Sequence, residues 1–270
     1  MKQILITGAG GGMGQATVDL FVRHGYRVFA LDKQACAARE GVVPLQADIT
    51  DEASVAAAFA AVSQETQELC GIVHLAGIYM LHSLVEMSPA SFERVFRVNV
   101  GGAFLVNRTF LPLLSKGARV IMVTSELAVR DPLPFTGIYG VTKTALDKYA
   151  YALRMELQLL DIRVSVLRAG AVDTGMLGVS TQALDAFCRD TKLYPCNAAR
   201  FKRIVERVEA RRIPPAKVAD RIWRIANAEK PKFAYAVNRN PLLILLDLLP
   251  KRTRFFIIRK ILKKSSDGAA

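Results

Sequence analysis

Apolar and polar positions alternate along this chain between two periods. Gln3-Ile4-Leu5-Ile6-Thr7 is a short apolar run that predicts a buried strand, and Gln15 to His24 carries Ala16, Val18, Leu20 and Phe21 at helical spacing. Tyr26 to Leu31 predicts a second strand. Continued along the chain, the pattern predicts strands at 3–7, 26–31, 43–47, 71–75, 118–124, 162–168 and 232–237. It predicts helices at 13–24, 51–63, 88–115, 138–160 and 215–228. Asp51 and Ser88 stand at two helix starts as N-caps, and Pro89 suits a first helical turn. Repeated β-α units imply an α/β fold, a single-domain, Rossmann-like, doubly wound parallel sheet with helices on both faces. The domain is expected over 1–240, followed by a basic amphipathic tail at 241–270. Residues 175–213 hold no obvious strand but include Met176, Leu177, Val179, Leu184, Phe187, Leu193 and Tyr194, and a stretch this long predicts a lid.

The turn after the first strand reads Gly8-Ala9-Gly10-Gly11-Gly12-Met13-Gly14. Strand, glycine turn, helix is the context of a dinucleotide fingerprint, although the spacing here is Gly8-x-x-x-Gly12-x-Gly14 rather than G-x-G-x-x-G. Glycines allow a tight turn and close approach of a pyrophosphate, and the helix N-terminus offers free N–H groups. A plain flexible turn is the alternative. Asp32 ends the second strand, placed to accept from a ribose 2′-hydroxyl and to repel a 2′-phosphate, which favours NAD over NADP. Lys33, directly after it, is the residue that would tolerate NADP.

Tyr139-Gly140-Val141-Thr142-Lys143 places a phenol and an ammonium four residues apart, on one helix face, with Ser125 fourteen residues upstream of the tyrosine. A nearby positive charge favours the phenolate, so Lys143 is expected to lower the Tyr139 pKa and make it a usable acid/base. An exposed lysine beside a packed tyrosine is the bland reading of the same spacing.

Taken together, Thr7-Gly8-x-x-x-Gly12-x-Gly14, Asp32, Asp48-Ile49, Ala76-Gly77, Asn99, Ser125, Tyr139-x-x-x-Lys143 and Gly170-x-Val172-x-Thr174 resemble the classical short-chain dehydrogenase/reductase family, in its order across residues 2–175. The resemblance implies an oxidoreductase that interconverts an alcohol and its ketone or aldehyde with a nicotinamide cofactor and no metal. It implies catalytic roles for Tyr139 as acid/base, Lys143 as its partner and ribose ligand, Ser125 as binder of the substrate oxygen, and Asn99 as holder of a relay water. It implies NAD contacts by Gly8, Gly11, Gly12, Met13, Gly14, Asp32, Lys33, Asp48, Ile49, Leu75, Ala76, Gly77, Tyr139, Lys143, Gly170, Val172 and Thr174. Two departures stand out. His74-Leu75-Ala76-Gly77 replaces the family's Asn-Asn-Ala-Gly, with an expected loss of strand-end hydrogen bonding, and Ala169-Gly170 replaces Pro-Gly. The C-terminal half is similar to the retinol- and hydroxysteroid-dehydrogenase-like branch, which implies a bulky lipophilic substrate such as a hydroxysteroid, retinoid or long-chain alcohol. A sugar or polyol dehydrogenase and a non-catalytic NAD-sensing protein are the alternatives. The family also implies a homodimer or homotetramer through helices at 103–115 and 138–160.

Charge is unevenly spread. Of the formal +13, residues 200–264 carry 19 Lys/Arg against 5 Asp/Glu, a balance of +14, which leaves −1 for the rest. The basic residues interleave with Leu, Ile and Phe, which argues against nucleic acid; for Arg200 to Arg212 a solvated helical face is preferred. Leu242 to Leu249 holds seven Leu/Ile in eight positions, broken only by Asp247, and Phe255 to Leu262 holds six apolar residues in eight amid Lys/Arg. Neither run spans a bilayer. Two readings stay open: a tail that covers the pocket or a subunit interface, and a peripheral membrane anchor. Cys36, Cys70, Cys188 and Cys196 show no paired spacing, and His24, His74 and His82 form no ligand pattern, so no metal site is expected. With a strand opening at residue 3, no signal peptide is expected and the location reads as cytoplasmic, with membrane association on the cytoplasmic face as the variant the tail allows.

Overall fold

The computed structural model describes residues 1–209 and 211–263, and the side chains of all of these except 175–181, 183, 208 and 209. Seven strands, β1 (Gln3–Thr7), β2 (Arg27–Asp32), β3 (Val42–Gln46), β4 (Leu69–His74), β5 (Leu114–Ser125), β6 (Arg163–Ala169) and β7 (Ala234–Val237), form one parallel sheet in the order β3-β2-β1-β4-β5-β6-β7. Each predicted strand is present within a few residues. Side chains of a two-faced strand alternate. Ile4 and Ile6 of β1 join one core cluster with Val18 and Phe21, whereas Leu5 joins another with Val55 and Val106. Helices α1 (Gly12–Arg23) and α2 (Glu52–Glu65) follow the first and third strands, so the sheet is covered on both sides.

The expected single helix at 88–115 is helical throughout 89–110, with an irregular turn inside it, and it ends early. It is α3 (Pro89–Phe96), a π-turn at Arg97–Gly101, α4 (Gly102–Phe110) and a short 3₁₀ turn, and β5 already begins at Leu114. One local cause of the early end is visible. Pro112 cannot continue a helix, because it lacks an N–H and clashes one turn back. Gly102 lies against Ile49, where a Cβ would fall 2.4 Å from Cδ1, so the helix meets the neighbouring loop at a glycine.

Helix α5 (Gly137–Leu157) is pinned to the sheet by a buried ion pair. Arg168 on β6 donates from Nε and Nη2 to the two oxygens of Asp147, at 2.9 and 2.8 Å, and Thr124 Oγ1 adds a bond at 3.3 Å. Side chains and charges so fixed hold α5 in register with the end of β5, where Ser125 sits.

The predicted lid is helical: α6 (Gly175–Asp190) and α7 (Pro195–Glu209). These helices pack on a satellite cluster of Leu81, Leu184, Phe187, Ala198 and Phe201, with Phe135 and Tyr194 at its edge. The Glu86 carboxylate ties the joint, accepting from Thr191 Oγ1 at 2.6 Å and the backbone N–H groups of Lys192 and Leu193. Arg203 and Arg207 lie on the exposed side of α7, as the solvated-face reading expects. Helix α8 (Pro215–Ala226) packs beside α1, and α9 (Pro241–Asp247) and α10 (Lys251–Leu262) close the chain. Residue 210 of the expected lid and residues 264–270 of the expected tail lie outside the described residues, as do the side chains of Met176, Leu177 and Val179.

Candidate active site

The strand order reverses between β1 and β4, so the loops that follow them diverge and leave a crevice at the carboxyl ends of the strands. The glycine turn forms one wall. Gly8 has φ +70, a conformation open to glycine, and a Cβ on Gly14 would fall 2.0 Å from the Gly8 carbonyl oxygen. The helix can start against the turn only if residue 14 has no side chain. Asp32 closes the far end of the groove: its carboxylate accepts from Gly10 N at 2.9 Å and Gln34 N at 3.0 Å. Lys33 does not point at this acid's partners. Its Nζ donates to Asp48 at 2.7 Å, and that contact together with Thr50 pulls the Asp48 pKa down to about 2.

The groove is lined by Gly8, Gly11, Asp32, Lys33, Asp48, Ile49, Leu75, Ala76 and Gly77, and it runs into a cleft lined by Met13, Gly77, Ser125, Tyr139, Lys143, Gly170, Val172 and Thr174. Gly12 and Gly14 hold the turn between them. A Cβ on Gly10 would come 3.2 Å from the Asp32 carboxyl, one on Gly12 3.3 Å from Thr174, and one on Gly77 3.2 Å from Asn99 Oδ1. Glycine at these positions keeps the groove open along its whole length, which fits a dinucleotide lying across the switch point. Every residue expected from the sequence to contact the cofactor therefore lies on the groove, the cleft or the turn between them.

Three of the four expected catalytic residues, Ser125, Tyr139 and Lys143, line the cleft, and the fourth, Asn99, lies behind its wall at Ile78. Asn99 is buried in the π-turn between α3 and α4. Its Oδ1 accepts from Ile78 N at 2.8 Å, and its Nδ2 donates to Ile78 O at 3.0 Å and Thr142 Oγ1 at 3.1 Å. Lys143 is buried, and its Nζ donates to Val123 O at 3.2 Å. Ser125 Oγ accepts from Leu127 N at 3.2 Å. Tyr139 stands one turn before Lys143, whose Nζ is 5.8 Å from its ring centroid, and packs edge-on against Tyr79 at 4.6 Å.

One electrostatic expectation is corrected. Lys143 does not lower the Tyr139 pKa here: burial pushes the phenol up to about 12, against a smaller downward pull from hydrogen bonding to Ser125. The same burial pushes Lys143 down to about 8. Removing each group from water disfavours its charged form, and at 5.8 Å from the ring centroid the ammonium does not overcome that.

The short chain dehydrogenase family matches residues 2–185. The chain belongs to that family. This short chain dehydrogenase is an oxidoreductase that acts on CH–OH groups with a nicotinamide cofactor. Over 177 residues it is 32% identical to the 2,3-dihydro-2,3-dihydroxybenzoate dehydrogenase of Escherichia coli (strain K12), a match that covers 65% of this chain and 71% of that one. Over 208 residues it is 29% identical to estradiol 17-beta-dehydrogenase 2 of Mus musculus, covering 70% of this chain and 55% of the mouse protein. Among solved structures, the 3-ketoacyl-(acyl-carrier-protein) reductase from Brucella melitensis complexed with NADH superposes with a TM-score of 0.71 at 24% identity, over 87% of this chain and 96% of that one. The aldohexose dehydrogenase of Thermoplasma acidophilum gives 0.72 at 20% identity, over 89% and 95%. At these identities the two structures establish the fold alone.

Several residues of the dehydrogenase's cleft were not singled out from sequence. Thr142 orients Asn99, and its place three residues after Tyr139 on the same helix is the signal that marks it. Glu126 and Leu127, just past Ser125, line the cleft, as do Phe201, Ile204 and Val205 of α7 and Leu243 of α9. Arg94 and Arg97 line the groove. Gly170 abuts β7: a Cβ there would fall 1.9 Å from Asn238 O. His74 does not lose strand-end bonding as expected. It is buried and bonds through Nε2 to Asn107 Oδ1 at 2.9 Å, and Asn107 Nδ2 donates to Tyr149 Oη at 3.2 Å.

Burial holds the His74 pKa at about 4, below its ordinary 6.5. Between these values the unfolded chain binds a proton that the folded one does not, so stability falls as pH drops through this window, by at most about 1.4 kcal/mol per pH unit. We expect urea unfolding to show this slope between pH 6.5 and 4, and His74→Asn to flatten it. An unchanged slope in the variant would assign the acid sensitivity elsewhere.

Proposed function

We propose that the protein is an NAD-dependent dehydrogenase of a bulky, lipophilic secondary or primary alcohol, or a reductase of the matching ketone or aldehyde, with Tyr139 as acid/base. The observation that carries this reading is the convergence of Ser125, Tyr139 and Lys143 on a largely apolar cleft walled by Ile78, Tyr79, Leu127, Leu133, Phe201, Val205 and Leu243, with Thr124, Glu126, Thr136 and Thr174 among its polar lining. When bound, the nicotinamide supplies hydride exchange with the substrate carbon. Ser125 receives the substrate oxygen by hydrogen bond and Tyr139 returns or removes its proton. Lys143, held by Val123 O beside Gly77, would hydrogen-bond the nicotinamide ribose. Asn99 keeps the loop after β4 in place through Ile78.

Asp32 supports NAD over NADP: its carboxylate stands at the groove end, and the cation that would receive a 2′-phosphate, Lys33, is engaged by Asp48. A sugar or polyol substrate is the second reading. It is disfavoured because the Thr136 and Thr124 hydroxyls at the cleft already bond Leu133 O and Asp147. The similarity to an estradiol dehydrogenase supports the lipophilic class. Four unpaired cysteines support a reducing, cytoplasmic setting.

Contact with a membrane surface belongs to the same reading. Among the described residues no helix is long and apolar enough to cross a membrane. Leu242, Leu245 and Leu248 at α9 and Phe255, Phe256 and Ile261 on α10 are exposed, with exposed Lys251, Arg252, Arg259, Lys260 and Lys263 around them. An anionic bilayer complements this surface, at about 1 kcal/mol per nearby cation. A second copy docked there would set the same cations against each other. Self-association through α4 and α5 fits better, where Phe104, Tyr151 and Met155 are exposed.

Kinetics with the parent and two variants test the chemistry. We expect Tyr139→Phe to bind NAD normally and to lose at least about a thousandfold in kcat, within the range of general acid–base catalysis. A loss under about tenfold overturns Tyr139 as acid/base. The parent should favour NAD, and Asp32→Ala should weaken that preference; equal efficiency with NADP in the parent refutes it. For the surface, the protein should first run as a dimer or tetramer by light scattering. It should then sediment with vesicles of anionic, but not zwitterionic, lipid at low salt. Protein left in the supernatant with anionic vesicles rules out the membrane contact.

A further inference from the structure

A lone carboxylate in an apolar run requires a partner. Asp247, the one charged residue within Leu242–Leu249, has two. Arg130 Nη1 donates to its Oδ2. Arg254 Nη1 lies 3.5 Å from its Oδ1, and Arg254 Nη2 donates to its backbone oxygen at 3.1 Å. The chain of charges extends both ways. Arg254 Nη1 donates to Asp131 Oδ2 at 2.9 Å, with Lys251 Nζ 3.7 Å from the same oxygen. Arg130 Nη2 lies 4.0 Å from Glu126 Oε2, which also accepts from Asn240 N at 2.8 Å. Three acids face three cations. The Arg130, Arg254 and Glu126 side chains are only 6, 8 and 9% exposed.

Stability alone is a poor account of this network. Burying ions removes their hydration, and a buried pair is often no more stabilising than apolar side chains of its size. The Nε atoms of both Arg130 and Arg254 are buried without a hydrogen-bond partner. What the network does is join two segments. Glu126 to Asp131 is the turn that begins at Ser125, and Asp247 to Arg254 is the corner between α9 and α10. Helix α9 has no fully buried residue; Leu243, Ile244 and Leu246 are half-buried, so apolar contact seats it only in part. It nonetheless places Leu243 in the cleft wall. α10 is held separately, by Ile258 and Leu262 against the lid cluster.

We propose that Asp247, gripped by Arg130 and Arg254, is a positioning residue that sets α9 as the outer wall of the substrate cleft and so determines affinity for bulky substrates. The substrate part of this inference rests on the function proposed above; the placement of α9 does not. Small alcohols, which reach Ser125 and Tyr139 without touching Leu243, should be indifferent to it.

Hydrogen–deuterium exchange and kinetics on the full chain separate the two parts. In Asp247→Asn we expect amides of 241–247 to exchange about tenfold faster while those of the sheet are unchanged, with Asp247→Glu returning toward the parent. KM for a long-chain or polycyclic alcohol should rise about tenfold, with kcat for a small alcohol and NAD affinity held within about twofold. Unchanged exchange in 241–247 overturns the proposal, as does a uniform rise across the sheet or an equal loss with small and bulky alcohols. Faster exchange confined to α9 in a protein that oxidises no alcohol upholds the positioning and refutes the reaction. If Asp247→Asn does not fold, Arg254→Gln, which spares the Arg130–Asp247 pair, is read in the same way.

Discussion

The Asn99 amide joins three segments that the sheet does not itself connect. Its three hydrogen bonds reach the loop after β4, at Ile78, and the helix that carries Tyr139 and Lys143, at Thr142, from a π-turn that points the side chain inward. In a regular α-helix residue 99 would sit elsewhere on the face, because each turn closes with one residue fewer. The irregular turn is thus the geometric condition for the cleft: the end of the groove at Gly77 and the side chains above it are brought together through one buried polar group. Buried amides with all these partners satisfied hold position well, since any displacement leaves a donor or acceptor unpaired away from water.

Much of the architecture was legible in the sequence because parallel strands buried on both faces leave a strong signature. All seven strands were predicted, and the glycine turn, Asp32 and the Tyr139–Lys143 pair sat in the context that gives them meaning. The helix at 88–115 was legible only in part. Its apolar pattern runs on, but Pro112 ends it, and the π-turn has no periodic signature of its own. Helices α6 and α7 were also legible only in part. The solvated face at Arg200 to Arg212 marks α7, but the cluster both pack on draws in Leu81 and Leu262, residues far away in sequence that no local pattern connects. The roles of Arg130 and Arg254 were equally invisible, since their partners lie 117 and 123 positions away.

Electrostatics in the cleft runs opposite to simple charge counting. In a chain of +13, burial still brings Lys143 down to about 8, while the excess charge lies in the C-terminal part. The Lys33–Asp48 pair shows the complementary case: partly exposed, the contact lowers the Asp48 acid to about 2. Burial, rather than overall charge, decides which groups titrate near neutrality.

The Leu243 wall has a consequence for how such a protein changes over time. The segment matched by the family ends at residue 185, whereas Phe201, Ile204, Val205 and Leu243 all come after it. The polar groups of the cleft thus lie in the matched segment, together with the wall residues Ile78, Tyr79, Leu127 and Leu133, and the rest of the apolar wall follows in one later stretch. The first must keep the close backbone approaches made at its glycines; the second presents apolar surface and a corner of matched charge. The later stretch is free to drift, or to be exchanged as a block between relatives, and each exchange would give the same hydride chemistry a differently shaped room.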